Sequence, residues 1–213
     1  MRVPAPTVDP ATQPAQTARV VNVANGLTLL RLLLVPAFVV LLLANGGHSN
    51  GWRVWACLAF VVATVTDFVD GDLARSRGLV TEVGKIADPI ADKALTGAAL
   101  IGLSSLGDLP WWVTVVILVR EIGITGLRFF VIRHGVIPAS RGGKAKTLLQ
   151  NLAIGLYLLP LTGVAASIRF WLLGVAVVVT IATGVDYVAR AIHLRRTSPR
   201  AEMKRARRQA AAP

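Results

Sequence analysis

Apolar residues fill six stretches of this chain, at about 26–44, 53–75, 84–106, 109–132, 145–165 and 169–192, with polar residues gathered between them. Each stretch is long enough to cross a hydrocarbon layer of roughly 30 Å, which takes about 20 residues of helix. A helix also satisfies its own backbone polar groups, which find no partner in lipid. The pattern therefore predicts an all-α fold, an integral membrane bundle of six transmembrane helices. It divides the chain into a segment at 1–20, the six-helix domain at 21–193 and a tail at 194–213. Residues 1 to about 17 are rich in Pro, Ala, Thr and Gln and hold no apolar run, so a disordered cytoplasmic lead is expected there rather than a signal peptide.

Composition agrees with a membrane class: 54% of residues are hydrophobic and 16% charged, and the mean hydropathy is +0.61. The net charge of +12 is unevenly placed. Arg75, Arg77 and Lys85 lie between the second and third stretches, and Arg133, Arg141, Lys144 and Lys146 between the fourth and fifth. The other connections offer only Arg53, Asp108 and Arg169. Basic residues mark the cytoplasmic side, so both termini and the even-numbered connections are expected there, in the cell (inner) membrane. Seven basic residues crowd the tail, from Arg195 to Arg208. Beside a membrane span they suit anionic lipid headgroups rather than nucleic acid, or simply fix topology.

One polar run breaks the apolar pattern. DFVDGDLARSRGLVTEVGKIADPIAD carries Asp67, Asp70, Gly71, Ala74, Arg75, Gly84, Asp88 and Asp92 in the spacing D-x2-D-G-x2-A-R-x8-G-x3-D-x3-D. Four acids beside lipid are costly unless something cationic neutralises them. Separations of three and four residues put each aspartate pair on one helical face. If the second and third helices form an antiparallel hairpin, the pairs converge on one cavity. Four carboxylates suit two divalent cations of the kind that clamp attacking and leaving oxygens at phosphorus. Oxygen ligands with no His or Cys nearby favour Mg²⁺ or Mn²⁺ over Zn²⁺. Gly71, Ala74 and Gly84 either let a nucleotide approach the backbone or let helices cross closely. Arg75 either binds a phosphate or snorkels to the membrane edge.

This spacing resembles that of the CDP-alcohol phosphatidyltransferase family, with every fixed position filled. The resemblance implies a six-helix membrane enzyme that moves a phosphatidyl group from a CDP-linked lipid, CDP-diacylglycerol, to an alcohol and releases CMP. It implies metal ligation by Asp67, Asp70, Asp88 and Asp92, with Asp92 also the general base. It places Gly71, Ala74, Arg75 and Gly84 in the CDP pocket, with Asp67, Asp70 and Asp88 beside the nucleotide. It also suggests a homodimer. No Ser/His/Asp set or nucleophilic cysteine is evident, so direct displacement is expected rather than a covalent intermediate.

The aspartate pattern leaves the acceptor open. Three further segments, NGLTLLRLLLVPAF with Arg31, REIGITGLR with Arg120 and Arg128, and GGKAKTLLQ with Lys144 and Lys146, resemble those of the bacterial phosphatidylglycerophosphate synthases, a branch of that family using sn-glycerol 3-phosphate. Guanidinium groups inside an apolar stretch are expensive unless they bind an anion or pair, for instance with Glu121. The five basic residues are expected to bind the acceptor's phosphate, Lys144 and Lys146 reading equally as topology markers. Asp186 and Arg190, four apart, either face the same cavity or pair with each other. Cys57 reads as a packed thiol, the three histidines as surface residues and the five tryptophans as interfacial anchors. The competing readings are a cardiolipin synthase or inositol-phosphate transferase of the same family and, in another class, a cation or proton transporter. Transport predicts acids along a transmembrane path, whereas these cluster at one end.

Overall fold

The computed structural model describes residues 23–77, 82–131 and 141–197. They form six α-helices: α1 (Val23–Leu43), α2 (Asn50–Arg77), α3 (Glu82–Ser105), α4 (Trp111–Val131), α5 (Arg141–Leu158) and α6 (Gly163–Thr197). A 3-10 turn at Ala44–Gly47 joins α1 to α2, and no strand occurs among the described residues. The expected all-α character holds. Three segments are long and apolar enough to cross a membrane: Gly26–Gly47, Asn50–Phe68 and Gly163–Arg195. The other three helices are diluted by charge, with Asp88, Asp92 and Lys93 on α3, Arg120, Glu121 and Arg128 on α4, and Arg141, Lys144 and Lys146 on α5.

Helix boundaries follow local chemistry more closely than hydropathy. The apolar stretch expected at 145–165 ends as a helix at Leu158, because Pro160 lacks an N–H and restricts the residue before it. Helix α6 then starts at Gly163, whose φ of 59° suits a residue with no Cβ. At 1.5 Å per residue, α6 is about 52 Å long and α2 about 42 Å, both longer than the roughly 30 Å of hydrocarbon. Helix α2 uses its excess to carry the first half of the aspartate pattern.

Helix α1 packs against α2 and α3, and α6 against α4 and α5; contacts of α2 with α5, and of α3 with α4 and α5, join the two groups. The seam between them is filled by Phe38, Phe60, Leu100, Leu103, Ile117, Ile154 and Leu158, all essentially without exposure. The Phe38 and Phe60 rings stand 6.0 Å apart. Ala56, Ala63, Ala99, Ala153 and Ala176 are fully buried, since small side chains let helix backbones approach in lipid. Outward faces carry Leu33, Val40, Val119, Ile122, Val178 and Val185 in the open, a surface far broader than water tolerates. Cys57 is buried, and Trp52, Trp55, Trp111, Trp112 and Trp171 are exposed.

One end of the bundle is tied by charges that the sequence presents as isolated. Arg53 lies within the first turn of α2, not in a connection, and is buried. Its Nη1 pairs with Asp108 at 2.7 Å, its Nη2 donates to the carbonyl of Tyr157 at 2.7 Å, and its Nε donates to that of Leu158 at 3.1 Å. Arg169 donates to the Leu159 carbonyl and lies over the Tyr157 ring, 5.0 Å from its centroid. The last carbonyls of α5 have no helical partner and sit at the negative end of its dipole, so cations settle there. The opposite end gathers the acids and the remaining bases.

Candidate active site

Asp67 and Asp70 both lie on α2, and Asp88 and Asp92 on α3, so their spacings act on continuous helices. Gly71, Ala74 and Arg75 continue α2, and Gly84 sits near the start of α3. Beyond this helical backbone, Asp70, Gly71, Ala74, Arg75 and Gly84 lie outside the described residues. Pro89 stands inside α3 between its two aspartates and removes one helical hydrogen bond there.

Helix α1 supplies partners for both aspartate pairs. Arg31, fully buried, places Nη1 2.7 Å from an Asp67 oxygen. Three residues earlier on the same face, the Thr28 hydroxyl donates to Asp88 Oδ1. Asp92 lies within electrostatic reach of Asp67, Lys93, Glu121 and Lys146. The carboxylates of Asp67, Asp88 and Asp92 thus share one neighbourhood, floored by a cation and a hydroxyl from α1. Among the described residues, no three His, Cys, Asp or Glu side chains form a ready ligand group. The chemistry of the donors still suits a hard cation. They are carboxylate and hydroxyl oxygens, and the described partners of Asp67, Asp88 and Asp92 include no imidazole or thiolate.

A cavity of ≈ 90 Å³ opens beside Asp92, walled by α3, α4 and α5. Lys93, Thr96, Glu121, Lys146, Thr147, Gln150 and Asn151 join Asp92 in its polar lining. Lys146, almost fully buried, pairs with Glu121 Oε1. Lys93 Nζ lies 3.6 Å from Glu121 Oε2 and 4.0 Å from Asp92 Oδ2, bridging the aspartates to this cluster. Arg120 approaches Glu121 at 3.4 Å and donates to the Thr183 hydroxyl on α6 at 3.1 Å. Gly184 leaves the space Arg120 occupies, because a Cβ there would stand 3.2 Å from Arg120 Cγ.

Of the five basic residues expected at an acceptor phosphate, the structure brings Arg120 and Lys146 together around Glu121. Arg31 stands on the aspartate side, at Asp67. Arg128 is exposed near the end of α4 and lies over the Tyr187 ring at 5.9 Å. Lys144 is exposed on the first turns of α5. Glu121 does pair with an arginine of its own segment, and Asp186 and Arg190 pair with each other at 2.9 Å, exposed. Sequence reasoning missed Lys93, Thr183 and Gly184. Lys93 stands outside the aspartate spacing, and the other two lie on α6, where no local pattern marks them.

The region spanned by this arrangement matches a family model, that of CDP-alcohol phosphatidyltransferase, over residues 21–182. The chain belongs to the CDP-alcohol phosphatidyltransferase family. The match spans α1 to α5 and more than half of α6, so both the aspartate helices and the Glu121 cluster lie inside it. This family member is 57% identical over 180 residues to the probable phosphatidylglycerophosphate synthase of Mycobacterium tuberculosis, covering 84% of this chain and 86% of that protein. It is 37% identical over 182 residues to the CDP-diacylglycerol–glycerol-3-phosphate 3-phosphatidyltransferase of Bacillus subtilis, covering 79% and 94%. The CMP-forming cardiolipin synthase of Streptomyces coelicolor is 35% identical over 159 residues, covering 72% and 73%. As a CDP-alcohol phosphatidyltransferase, the protein is a transferase of phospholipid biosynthesis.

Proposed function

We propose that the protein transfers the phosphatidyl group of CDP-diacylglycerol to sn-glycerol 3-phosphate, giving phosphatidylglycerophosphate and CMP. The observation that carries the choice of acceptor is the cavity beside Asp92, where Lys93 and Lys146 stand with Glu121 around a space suited to a small charged ligand. Arg120 and Lys146 would meet the acceptor's phosphate, with Arg31 on the aspartate side and Arg128 and Lys144 as exposed charges drawing it in from the cytoplasm. The names carried by the Mycobacterium tuberculosis and Bacillus subtilis relatives support the same acceptor.

In this reading Asp67, Asp70, Asp88 and Asp92 hold two divalent cations, Mg²⁺ or Mn²⁺. When bound, these ions neutralise the pyrophosphate and polarise phosphorus. Asp92 accepts the proton of the acceptor hydroxyl as its oxygen attacks the phosphorus bearing diacylglycerol, and the P–O bond to CMP breaks. Gly71, Ala74, Arg75 and Gly84 line the CDP pocket beside Asp67, Asp70 and Asp88. Thr28 and Arg31 orient the carboxylates. All six helices span the cell membrane, both termini and the site face the cytoplasm, the basic tail meets anionic lipid, and two copies form a homodimer.

The test is CMP release by purified protein given CDP-diacylglycerol and Mg²⁺ or Mn²⁺ with sn-glycerol 3-phosphate, phosphatidylglycerol or inositol phosphate in turn. Turnover is expected with sn-glycerol 3-phosphate alone. The Streptomyces coelicolor relative makes phosphatidylglycerol the strongest competitor, and turnover confined to it would replace this acceptor.

A further inference from the structure

Glu121 stands among three cations from three directions: Lys146 on α5, Lys93 on α3 at 3.6 Å and its chain neighbour Arg120 at 3.4 Å. The Lys146 side chain is 3% exposed and that of Glu121 14%, so the cluster is interior. A buried ammonium needs a counter-charge, which Glu121 supplies. Yet within the cluster three cations face only two carboxylates, Glu121 and Asp92; Lys93 and Lys146 line the cavity itself, and Arg120 adds the third positive charge from behind Glu121. Gln150, buried on the same wall, leaves its amide oxygen without a hydrogen-bond partner. Its amide can present either end, and a buried polar terminus left open on a cavity wall asks for a polar ligand. Surplus charge, space and an unpaired amide together describe a place for a small oxyanion.

The geometry points to Glu121 as the resident anion of the acceptor subsite, holding Lys93, Arg120 and Lys146 in place until a phosphate monoester takes them over. This rests on the acceptor reading above, adds Lys93 to the cationic set and gives Glu121 a part in selectivity. An unphosphorylated alcohol brings nothing to replace the carboxylate on three cations. The cluster therefore favours phosphorylated acceptors by leaving the others unrewarded. Glu121 is a positioning residue here, acting through the cations it holds.

Two readouts test it on the full-length protein with Mg²⁺: inorganic phosphate binding at saturating CMP, and the KM for sn-glycerol 3-phosphate in CMP release. E121Q keeps a hydrogen-bonding group but removes the competing charge. Phosphate Kd and acceptor KM should each fall about fivefold, the worth of one nearby charge in a wet site. The KM for CDP-diacylglycerol should stay within about twofold, as for an interaction confined to the acceptor. If Glu121 only props up the fold, loosened lysines raise both values, and unchanged or raised values overturn the inference. Should E121Q fail to give monodisperse protein, K93Q carries the test with an expected weakening of about fivefold, and no weakening overturns it. The double variant E121Q/K93Q restores the native net charge and should return phosphate affinity to within about twofold of wild type. A wild type that binds no phosphate yet turns over sn-glycerol 3-phosphate sinks the subsite alone. One that binds phosphate with these shifts, but uses only phosphatidylglycerol, sinks the acceptor reading alone.

Discussion

Thr28 and Arg31 condition two carboxylates that belong to other helices, and a single residue's effect here depends on which atom it touches. Removing the proposed base and removing a hydroxyl that orients a proposed ligand should give different kinetic signatures. Asp92→Asn keeps size and hydrogen bonding but cannot take a proton. Turnover should fall by about 10²–10⁴, the usual worth of general base catalysis, while CDP-diacylglycerol binding stays within a few-fold. Thr28→Val leaves every carboxylate in place and removes the donor to Asp88. Its effect belongs on the metal, and the half-saturating Mg²⁺ concentration should rise about tenfold or more, as when an outer-shell partner is lost. A Thr28→Val enzyme with a native Mg²⁺ titration would separate the hydroxyl from the metal site. The aspartates are legible in the sequence because chemistry fixes their type and spacing. Lys93 is not: adjacent helical positions point about 100° apart, and only its long side chain brings it to Glu121 on the next helix.

Between helices, the clearest tie is Arg53, which binds a carboxylate from the α3–α4 connection and two carbonyls that end α5. Truncating it strands Asp108 and two acceptors together. Arg53→Ala should destabilise by about 3–5 kcal/mol, as does breaking a buried pair from one side. The chain carries its own reporter, since Cys57 is its one cysteine and is buried. In Arg53→Ala, labelling of that thiol should begin at a distinctly lower temperature, while turnover per folded molecule in the cold stays near native because the site lies at the other end. An unshifted labelling curve would mean that Arg53 contributes nothing to holding the helices. Hydropathy revealed each helix but not this tie, because Arg53, Asp108 and Arg169 are far apart in sequence and read singly as connection charges. The helix ends behave similarly. Pro160 and Gly163 set the α5–α6 break through backbone geometry, to which an average over apolar side chains is blind.

For the whole molecule, the two ends differ in kind. One is closed by Arg53, Asp108 and Arg169; the other carries the aspartates, the Glu121 cluster, Arg128 and Lys144, and leads into the basic tail. In the proposed function a water-soluble acceptor reaches the charged end from the cytoplasm, the side that basic residues mark in membrane proteins. By length and composition alone, only α1, α2 and α6 qualify as spans among the described residues, which leaves two topologies to separate. If all six helices cross, Gly107 lies outside and both Lys144 and His193 lie inside. If only three cross, Gly107 and Lys144 share a side. All three positions are exposed or at helix ends, so single cysteines placed there in a Cys57→Ala background should be accessible. An impermeant maleimide applied to intact cells should label Gly107→Cys, and should reach Lys144→Cys and His193→Cys only after permeabilisation. The same labelling behaviour at Lys144→Cys and Gly107→Cys, whether both react in intact cells or neither does, would return α3, α4 and α5 to one side of the membrane. It would also force the charged cavity they wall, and any acceptor it holds, to be approached from a different face.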